Sequence, residues 1–133
     1  MRKKTEIIRR GEEITENFIK YLDVHITEVV SGKDEEFKEI NQIAQDLFIT
    51  HKHLSETIKA ETGYSPCYFY DNKIIEKAKT MLCETDKTIS QIANIFTYDP
   101  SNFSKFFKKQ TGITPKVYRM SVKKITESKN SEL

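Results

Sequence analysis

Apolar residues recur at helical spacing along most of the chain. Between Ile14 and Val29 they stand three or four positions apart, which predicts an amphipathic helix that ends near Gly32. Further apolar stripes predict six more helices, through Phe37–Leu47, Leu54–Ile58, Phe69–Leu82, Ile89–Phe96, Phe103–Phe107 and Val117–Tyr118. No segment gives a convincing strand. The pattern therefore predicts an all-α fold of seven helices.

Polar residues at the predicted helix ends support these boundaries. Thr88 and Gln91 have the spacing of a capping box, in which each side chain satisfies a free backbone N–H group of the other residue. Asp99 followed by Pro100 is typical of a helix start, and Thr50 can cap an earlier helix. We therefore expect the helices after Thr50 and Asp99 to begin at those residues.

The two ends of the chain lack a clear apolar period. Residues 1–13 are mostly charged, and we interpret them as a mobile or weakly ordered arm. Residues 120–133 form a basic and polar tail, which we expect to fray beyond Lys124. The helical domain is thus expected to cover residues 14–119.

The most informative feature is an internal repeat with an offset of 49 residues. Across 28 paired positions, which start at residues 42 and 91, no gap is needed and eight pairs are identical. These pairs are Gln42/Gln91, Ile43/Ile92, Ala44/Ala93, Ser55/Ser104, Lys59/Lys108, Thr62/Thr111, Gly63/Gly112 and Pro66/Pro115. Such an ordered set indicates two copies of one structural unit.

Each copy has the pattern helix, short turn, helix, glycine and proline. Ala44 and Ala93 place a small side chain on the first helix, which lets the second helix cross at close range. Leu54 and Phe103 follow ten residues later, where they can anchor the second helix on the first. This spacing suits a helix-turn-helix, whose second helix enters the major groove of DNA.

The net charge of +2 hides an uneven distribution. Residues 1–50 carry −3 and residues 51–100 carry −1, whereas residues 101–133 carry +6. A basic region on a near-neutral chain favours a polyanion as partner. A solvated lysine-rich face would give the same balance, and charge alone leaves both interpretations open.

Several function classes find no support in the sequence. No apolar run approaches the ~20 residues that span a bilayer, and no secretory signal follows the basic N-terminus, so the cytoplasm is the expected location. Motifs of phosphate loops, zinc hydrolases and nucleophile elbows are absent, so we expect no enzyme activity, cofactor or metal. Cys67 and Cys83 are expected to be buried as small apolar residues, and His25 to lie in the core or at its boundary.

The most specific string of residues lies in the second copy. It comprises Ile89 to Ala93, Asp99 to Lys109, Thr111 to Pro115, and Tyr118-Arg119. With this string, the chain resembles the DNA-binding domain of AraC/XylS-type transcription regulators over residues 14–119. The resemblance implies two helix-turn-helix subdomains, residues 14–65 and 84–119, joined by a long linker helix at residues 66–83. It also implies recognition helices about one helical turn of DNA, ~34 Å, apart.

The chain departs from the family pattern at two places. The family usually has a glycine, then Phe or Tyr, then one more residue in the second turn, whereas here Thr97-Tyr98 runs directly into Asp99. The second turn is therefore expected to equal the first in length. The family also commonly has a basic residue where this chain has Glu56, so we expect a different base pattern there.

The predicted recognition helices are residues 51–61 and 100–111. Leu54 and Ile58 face inward on the first, as do Phe103, Phe106 and Phe107 on the second, so the polar residues between them face outward. The expected base contacts are Lys52, Ser55, Glu56, Ser101, Asn102 and Lys105. The expected phosphate contacts are Thr50, His51, Lys59, Lys108, Lys109, Lys116 and Arg119, with Lys123 and Lys124 as further candidates.

Formal charge differs between the two recognition helices, at zero for the first and +3 for the second. The second is therefore expected to supply more of the affinity. The expected function is sequence-specific binding of double-stranded DNA and transcription regulation by a monomer in a bacterial cytoplasm, on the nucleoid when bound, with RNA polymerase as a further partner.

Two alternatives to this function remain at the level of sequence. One is a protein-interaction module that kept the fold and lost DNA binding. The other is a binder of RNA, or of DNA without sequence preference. Residues 1–13 are too few for a ligand-sensing domain, so the chain is expected to be a stand-alone regulator or one domain of a longer protein.

Overall fold

The apolar stripes form seven α-helices in the part of the chain that the structure describes. The computed structural model describes the backbone of residues 2–33 and 36–131 and the side chains of residues 10–33 and 36–123. The helices are α1 (Arg2–Ser31), α2 (Ile40–Asp46), α3 (His51–Thr62), α4 (Pro66–Glu84), α5 (Ile89–Ile95), α6 (Pro100–Thr111) and α7 (Pro115–Ser131). The all-α prediction is confirmed.

The chain divides into two compact units, Met1–Lys73 and Ile74–Leu133, and the boundary falls inside α4. In the first unit, α1 packs against α3, and α2 also packs against α3. Its fully buried side chains come from all three helices: Phe18, Leu22 and Ile26 of α1, Ile43 and Ala44 of α2, and Leu54 and Ile58 of α3. The apolar stripes predicted for these helices therefore form one core.

A polar network closes this core next to His25, which is only 3% exposed. The backbone N–H of Lys38 donates to His25 Nε2 at 2.9 Å, and the hydroxyl of Tyr70 donates to the carbonyl of Lys38 at 2.9 Å. Lys38 Nζ in turn bonds Asp46 Oδ2 at 2.8 Å. The prediction that His25 lies in the core or at its boundary is confirmed.

Aromatic residues fill the core of the second unit. Phe96, Phe103 and Phe107 are fully buried, together with Ile92 and Ala93 of α5. Phe103 lies between the other two phenylalanines, with ring centroids 6.2 Å and 6.1 Å away. Burial of each such side chain stabilises the fold by roughly 1.5–3 kcal/mol.

The predicted helix ends are confirmed at the backbone. The Thr88 hydroxyl accepts the Gln91 N–H at 3.1 Å, and the Gln91 side chain accepts the Thr88 N–H at 2.8 Å, so the capping box is complete. Gly63 and Gly112 end α3 and α6 with φ of 83° and 88°, a conformation that glycine adopts without the clash of a Cβ.

Both ends of the helical region differ from the prediction. The first helix begins at Arg2 rather than Ile14, so residues 2–13 are helical. The last helix continues to Ser131, beyond the end at Lys124 that the sequence predicts. No proline follows Pro115 and no glycine follows Gly112, and polar residues with good helix propensity continue a helix that has no breaker.

The expectation that the cysteines are buried is wrong, because Cys67 and Cys83 are both exposed. The buried residues of α4 include Pro66, Tyr70 and Leu82. Each cysteine comes one position after a buried residue, which turns it about 100° away from the core.

Among the described residues, no helix is both long and apolar enough to cross a membrane.

Candidate nucleic-acid interface

Each helix-turn-helix begins its second helix with a capped N-terminus. The hydroxyl of Thr50 accepts the backbone N–H of His53 at 3.0 Å and caps α3. The carboxylate of Asp99 accepts the N–H groups of Ser101 at 3.1 Å and Asn102 at 3.4 Å and caps α6. These caps define the residues at which the two recognition helices begin.

The two turns have the same backbone. Phe48 and Thr97, which are 49 positions apart, take the left-handed conformation with φ of 62° and 61°. The next N–H groups, of Ile49 and Tyr98, donate to the carbonyls of Ala44 and Ala93 at 3.1 Å and 2.9 Å. The prediction of equal turn length is confirmed, and Thr97 occupies the left-handed position without a glycine.

The outward side of α3 carries both signs of charge. Lys52, Glu56 and Lys59 are exposed, and so is His51 at the first position of the helix. Ser55 is half-buried, because it lies closer to the side that carries the buried Leu54. This face offers cationic donors at Lys52 and Lys59 and a carboxylate acceptor at Glu56, and its formal charge sums to zero with Glu61 included.

The outward side of α6 carries positive charge alone. Ser101 and Asn102 in its first turn are exposed, as are Lys105, Lys108 and Lys109 further along. Its inward side carries the buried Phe103 and Phe107. Phe106 was predicted to face inward; it is half-buried and stacks on Tyr98 with ring centroids 5.3 Å apart.

Helix α7 contains two of the predicted phosphate contacts, Lys116 and Arg119, and their side chains differ in exposure. Lys116 is exposed in its first turn, as is Lys123 further along. Arg119 is half-buried, and its guanidinium donates to the carbonyls of Leu82 at 3.0 Å and Thr85 at 3.3 Å. These bonds tie α7 to the end of α4, which argues against a phosphate contact by Arg119. The side chain of Lys124 lies outside the described residues.

The structure also places α1 beside the first recognition helix, which the sequence did not predict. Arg10 and Gly11 of α1 line a groove of about 420 Å³ together with His53 and Glu56 of α3. The signal in the sequence was a glycine at position 11, in register with the apolar stripe that starts at Ile14. This spacing places Gly11 on the same face as Ile14 only if residues 2–13 are also helical.

Comparisons with known proteins agree with this geometry. The helix-turn-helix domain family matches residues 43–121. The HTH-type transcriptional regulator YtdP of Bacillus subtilis is 33% identical over 101 residues, which are 75% of this chain and 13% of that protein. YobQ, another HTH-type transcriptional regulator of Bacillus subtilis, is 33% identical over 75 residues, 53% of this chain and 31% of YobQ. The chain therefore spans less than a third of the length of these relatives.

Solved structures give the same result. The C-terminal domain of AraT, a response regulator from Geobacillus stearothermophilus, is 28% identical with a TM-score of 0.70 over 81% of this chain and 84% of that domain. The DNA-binding domain of AdpA, solved in complex with a target DNA, shares the fold with a TM-score of 0.60 at 19% identity, over 73% and 91% of the two chains. Since the family match covers more than half of its length, the chain belongs to the AraC-type helix-turn-helix family of DNA-binding transcription regulators.

Proposed function

We propose that this chain binds double-stranded DNA in a sequence-specific manner through α3 and α6 and regulates transcription at the sites it occupies. One observation carries the proposal: the same capped helix-turn-helix occurs twice, and each copy turns an exposed polar face away from its core. A recognition helix in the major groove uses such a face, with its N-terminal residues at the base edges.

The proposed base contacts follow from the donors and acceptors on these faces. Asn102 can bond the N6 and N7 of adenine, and Lys105 can donate to the O6 and N7 of guanine. Glu56 can accept from the N4 amino group of cytosine. The ammonium group of Lys52 and the hydroxyl groups of Ser55 and Ser101 complete the proposed set of base contacts.

The proposed phosphate contacts lie around these positions and carry no sequence information of their own. They are Thr50, His51, Lys59, Lys108, Lys109 and Lys116, and Arg119 leaves the set because its guanidinium already bonds two backbone carbonyls. Three of the four lysines belong to the second unit, and α6 alone carries +3. We therefore propose that α6 supplies more of the affinity than α3.

The assembly on DNA also follows from the double motif. Because each chain has two recognition helices, we propose that a monomer occupies an asymmetric site in which α3 and α6 bind successive major-groove segments. RNA polymerase is the proposed protein partner at a promoter, and the bacterial nucleoid is the proposed location of the bound regulator.

Selection of bound sequences from a random duplex library at about 0.15 M salt tests the proposal. An enriched asymmetric motif with two half-sites about 10 base pairs apart is the expected result. A single enriched half-site would limit base recognition to one helix. Binding without enrichment would replace the proposal with nonspecific binding, and no binding would favour a protein-interaction module.

A further inference from the structure

The N-terminal half of α1 lies against the first recognition helix. The carboxylate of Glu61, in the last turn of α3, occupies the space that a side chain at residue 11 would need. Gly11 therefore lies directly against the Glu61 side chain at the contact between α1 and α3. This contact places the residues next to Gly11 at the flank of a helix that the proposed function directs into the major groove.

Arg10 lies where α1 meets both the second helix and the turn of the first helix-turn-helix. It lines the groove that contains His53 and Glu56 of α3, and it also lines a second groove with Phe48 and Ile49 of the turn. Its side chain is exposed. Arg10 is thus a solvent-accessible cation beside the outward face of α3, on the side marked by Glu56.

The dimensions of DNA determine what such a flanking cation meets. The major groove of B-DNA is about 12 Å wide, and an α-helix with its side chains is about 10–12 Å across. A recognition helix therefore fills the groove, and side chains at its flank face the sugar-phosphate walls. An arginine there can form a bidentate, charge-assisted pair with a phosphate.

The first unit carries a net charge of −3, so its attraction to DNA depends on cations that are grouped locally. Helix α3 is formally neutral, so it contributes little to attraction by the DNA backbone. Residues 2–10, in contrast, hold five Arg or Lys and one Glu. We propose that α1 is a third DNA-contacting element and that Arg10 binds a backbone phosphate beside the first recognition helix.

This inference rests on the proposed function, and it has a competing explanation within the protein. Arg10 could pair within the protein alone, with the carboxylates that line its two grooves, those of Glu13, Glu56 and Glu61. In that case its loss would change the stability of the first unit and leave the salt dependence of DNA binding unaltered. The phosphate contact predicts the opposite combination, because each neutralised phosphate releases counterions.

The test measures the DNA affinity of the full chain between about 50 and 200 mM salt, on a duplex recovered by the selection above. Arg10→Gln removes the charge and keeps a long helix-forming side chain. Lys20→Gln is the matched control, because Lys20 is exposed on the same helix about 15 Å further along its axis. Lys108→Gln is the reference for a phosphate contact on the second recognition helix.

The slope of log affinity against log salt is expected to fall in magnitude by about 0.9 for Arg10→Gln, equally on specific and unrelated duplexes. Lys20→Gln should keep the wild-type slope, and Arg10→Lys should retain most of it. An unchanged slope for Arg10→Gln, with salt-dependent binding by the wild type, overturns this inference alone. If the wild-type chain does not bind DNA, the proposed function is overturned as well. Urea midpoints of all variants that equal the wild-type value would exclude unfolding as the cause of a changed slope.

Discussion

The two helix-turn-helix units share a backbone and differ in the charge of their outward faces. Their turns place Phe48 and Thr97 at φ of 62° and 61°, and their closing glycines, Gly63 and Gly112, at 83° and 88°. The outward position held by Glu56 on α3 is held by Lys105 on α6, with the opposite charge. A few capping, turn and core positions thus specify the unit, and the binding face is free to vary.

The cores of the two units differ as well. Leu54 and Ile58 of α3 correspond to Phe103 and Phe107 of α6, and all four side chains are fully buried. The same backbone therefore accepts aliphatic anchor residues on α3 and aromatic anchor residues on α6. Four experiments can break or sharpen this comparison, from the largest expected effect to the smallest.

Truncation of the anchor residue should lower the free energy of unfolding more in the second unit, where the anchor is a phenylalanine, than in the first. We expect Phe103→Ala to lower the free energy of unfolding by about 3–5 kcal/mol and Leu54→Ala by about 2–5 kcal/mol, because the larger side chain leaves the larger cavity. Urea unfolding followed by circular dichroism measures the loss, and hydrogen exchange assigns it to one unit. A larger loss for Leu54→Ala would mean that the aromatic core repacks around the cavity.

The charge difference between the outward faces should appear in DNA binding. Lys105→Ala is expected to cost ~1–3 kcal/mol on a specific duplex and to relax the preference at one or two base pairs. Glu56→Ala should instead strengthen binding to unrelated duplexes, because a carboxylate near the phosphates is removed. Titrations on specific and unrelated DNA compare the two variants. A uniform loss over all sequences for Lys105→Ala would make Lys105 a phosphate contact.

The left-handed turn should be more strained in the second unit. A β-branched side chain at φ of 61° clashes with its own backbone, whereas glycine does not. We expect Thr97→Gly to raise the free energy of unfolding by about 0.5–1 kcal/mol, after the greater freedom of glycine in the unfolded chain is subtracted. Phe48→Gly should gain less, because phenylalanine is not β-branched. A lower urea midpoint for Thr97→Gly would contradict the strain.

The first unit contains a pH-sensitive ion pair between Lys38 and Asp46. The residue of the second unit that corresponds to Asp46 is Ile95. Hydrogen bonds from Lys38 and then Tyr21 hold the pKa of Asp46 below its ordinary value of 3.8. The lowered pKa means that the contact stabilises the fold above about pH 4 and is lost as the pH falls through the folded value. Because both partners are about 40% exposed, the effect should be small.

Asp46→Asn tests this contact through urea midpoints at pH 3 and pH 6. The wild type should lose more stability on acidification than the variant does, since the variant has no carboxylate to protonate. Hydrogen exchange should confine the difference to residues of the first unit. Equal losses in the two proteins would show that the ion pair contributes nothing measurable.

Much of the candidate interface followed from the sequence because its residues are local to one helix. Lys52, Lys59, Lys105 and Lys108 were placed outward by the 3.6-residue period alone, and all are exposed. Arg119 could not be assigned in this way, since its partners at Leu82 and Thr85 are more than 30 residues away in sequence. Whether a cation is free or tied to a carbonyl depends on packing between helices, and no periodicity reports it.

The sequence by itself determined the all-α class, the helix starts at Thr88 and Asp99, the duplicated unit and its family. The helical class and the helix starts depend on residues three or four positions apart, whose side chains and backbone groups meet within one helical turn. The duplicated unit and its family depend on the order of such residues along the chain. The tertiary structure alone decided that α1 lies along α3 with Arg10 at its flank, and that Arg119 holds α7 to α4. Such contacts join residues that are distant in sequence, and only the packing of the helices brings them together.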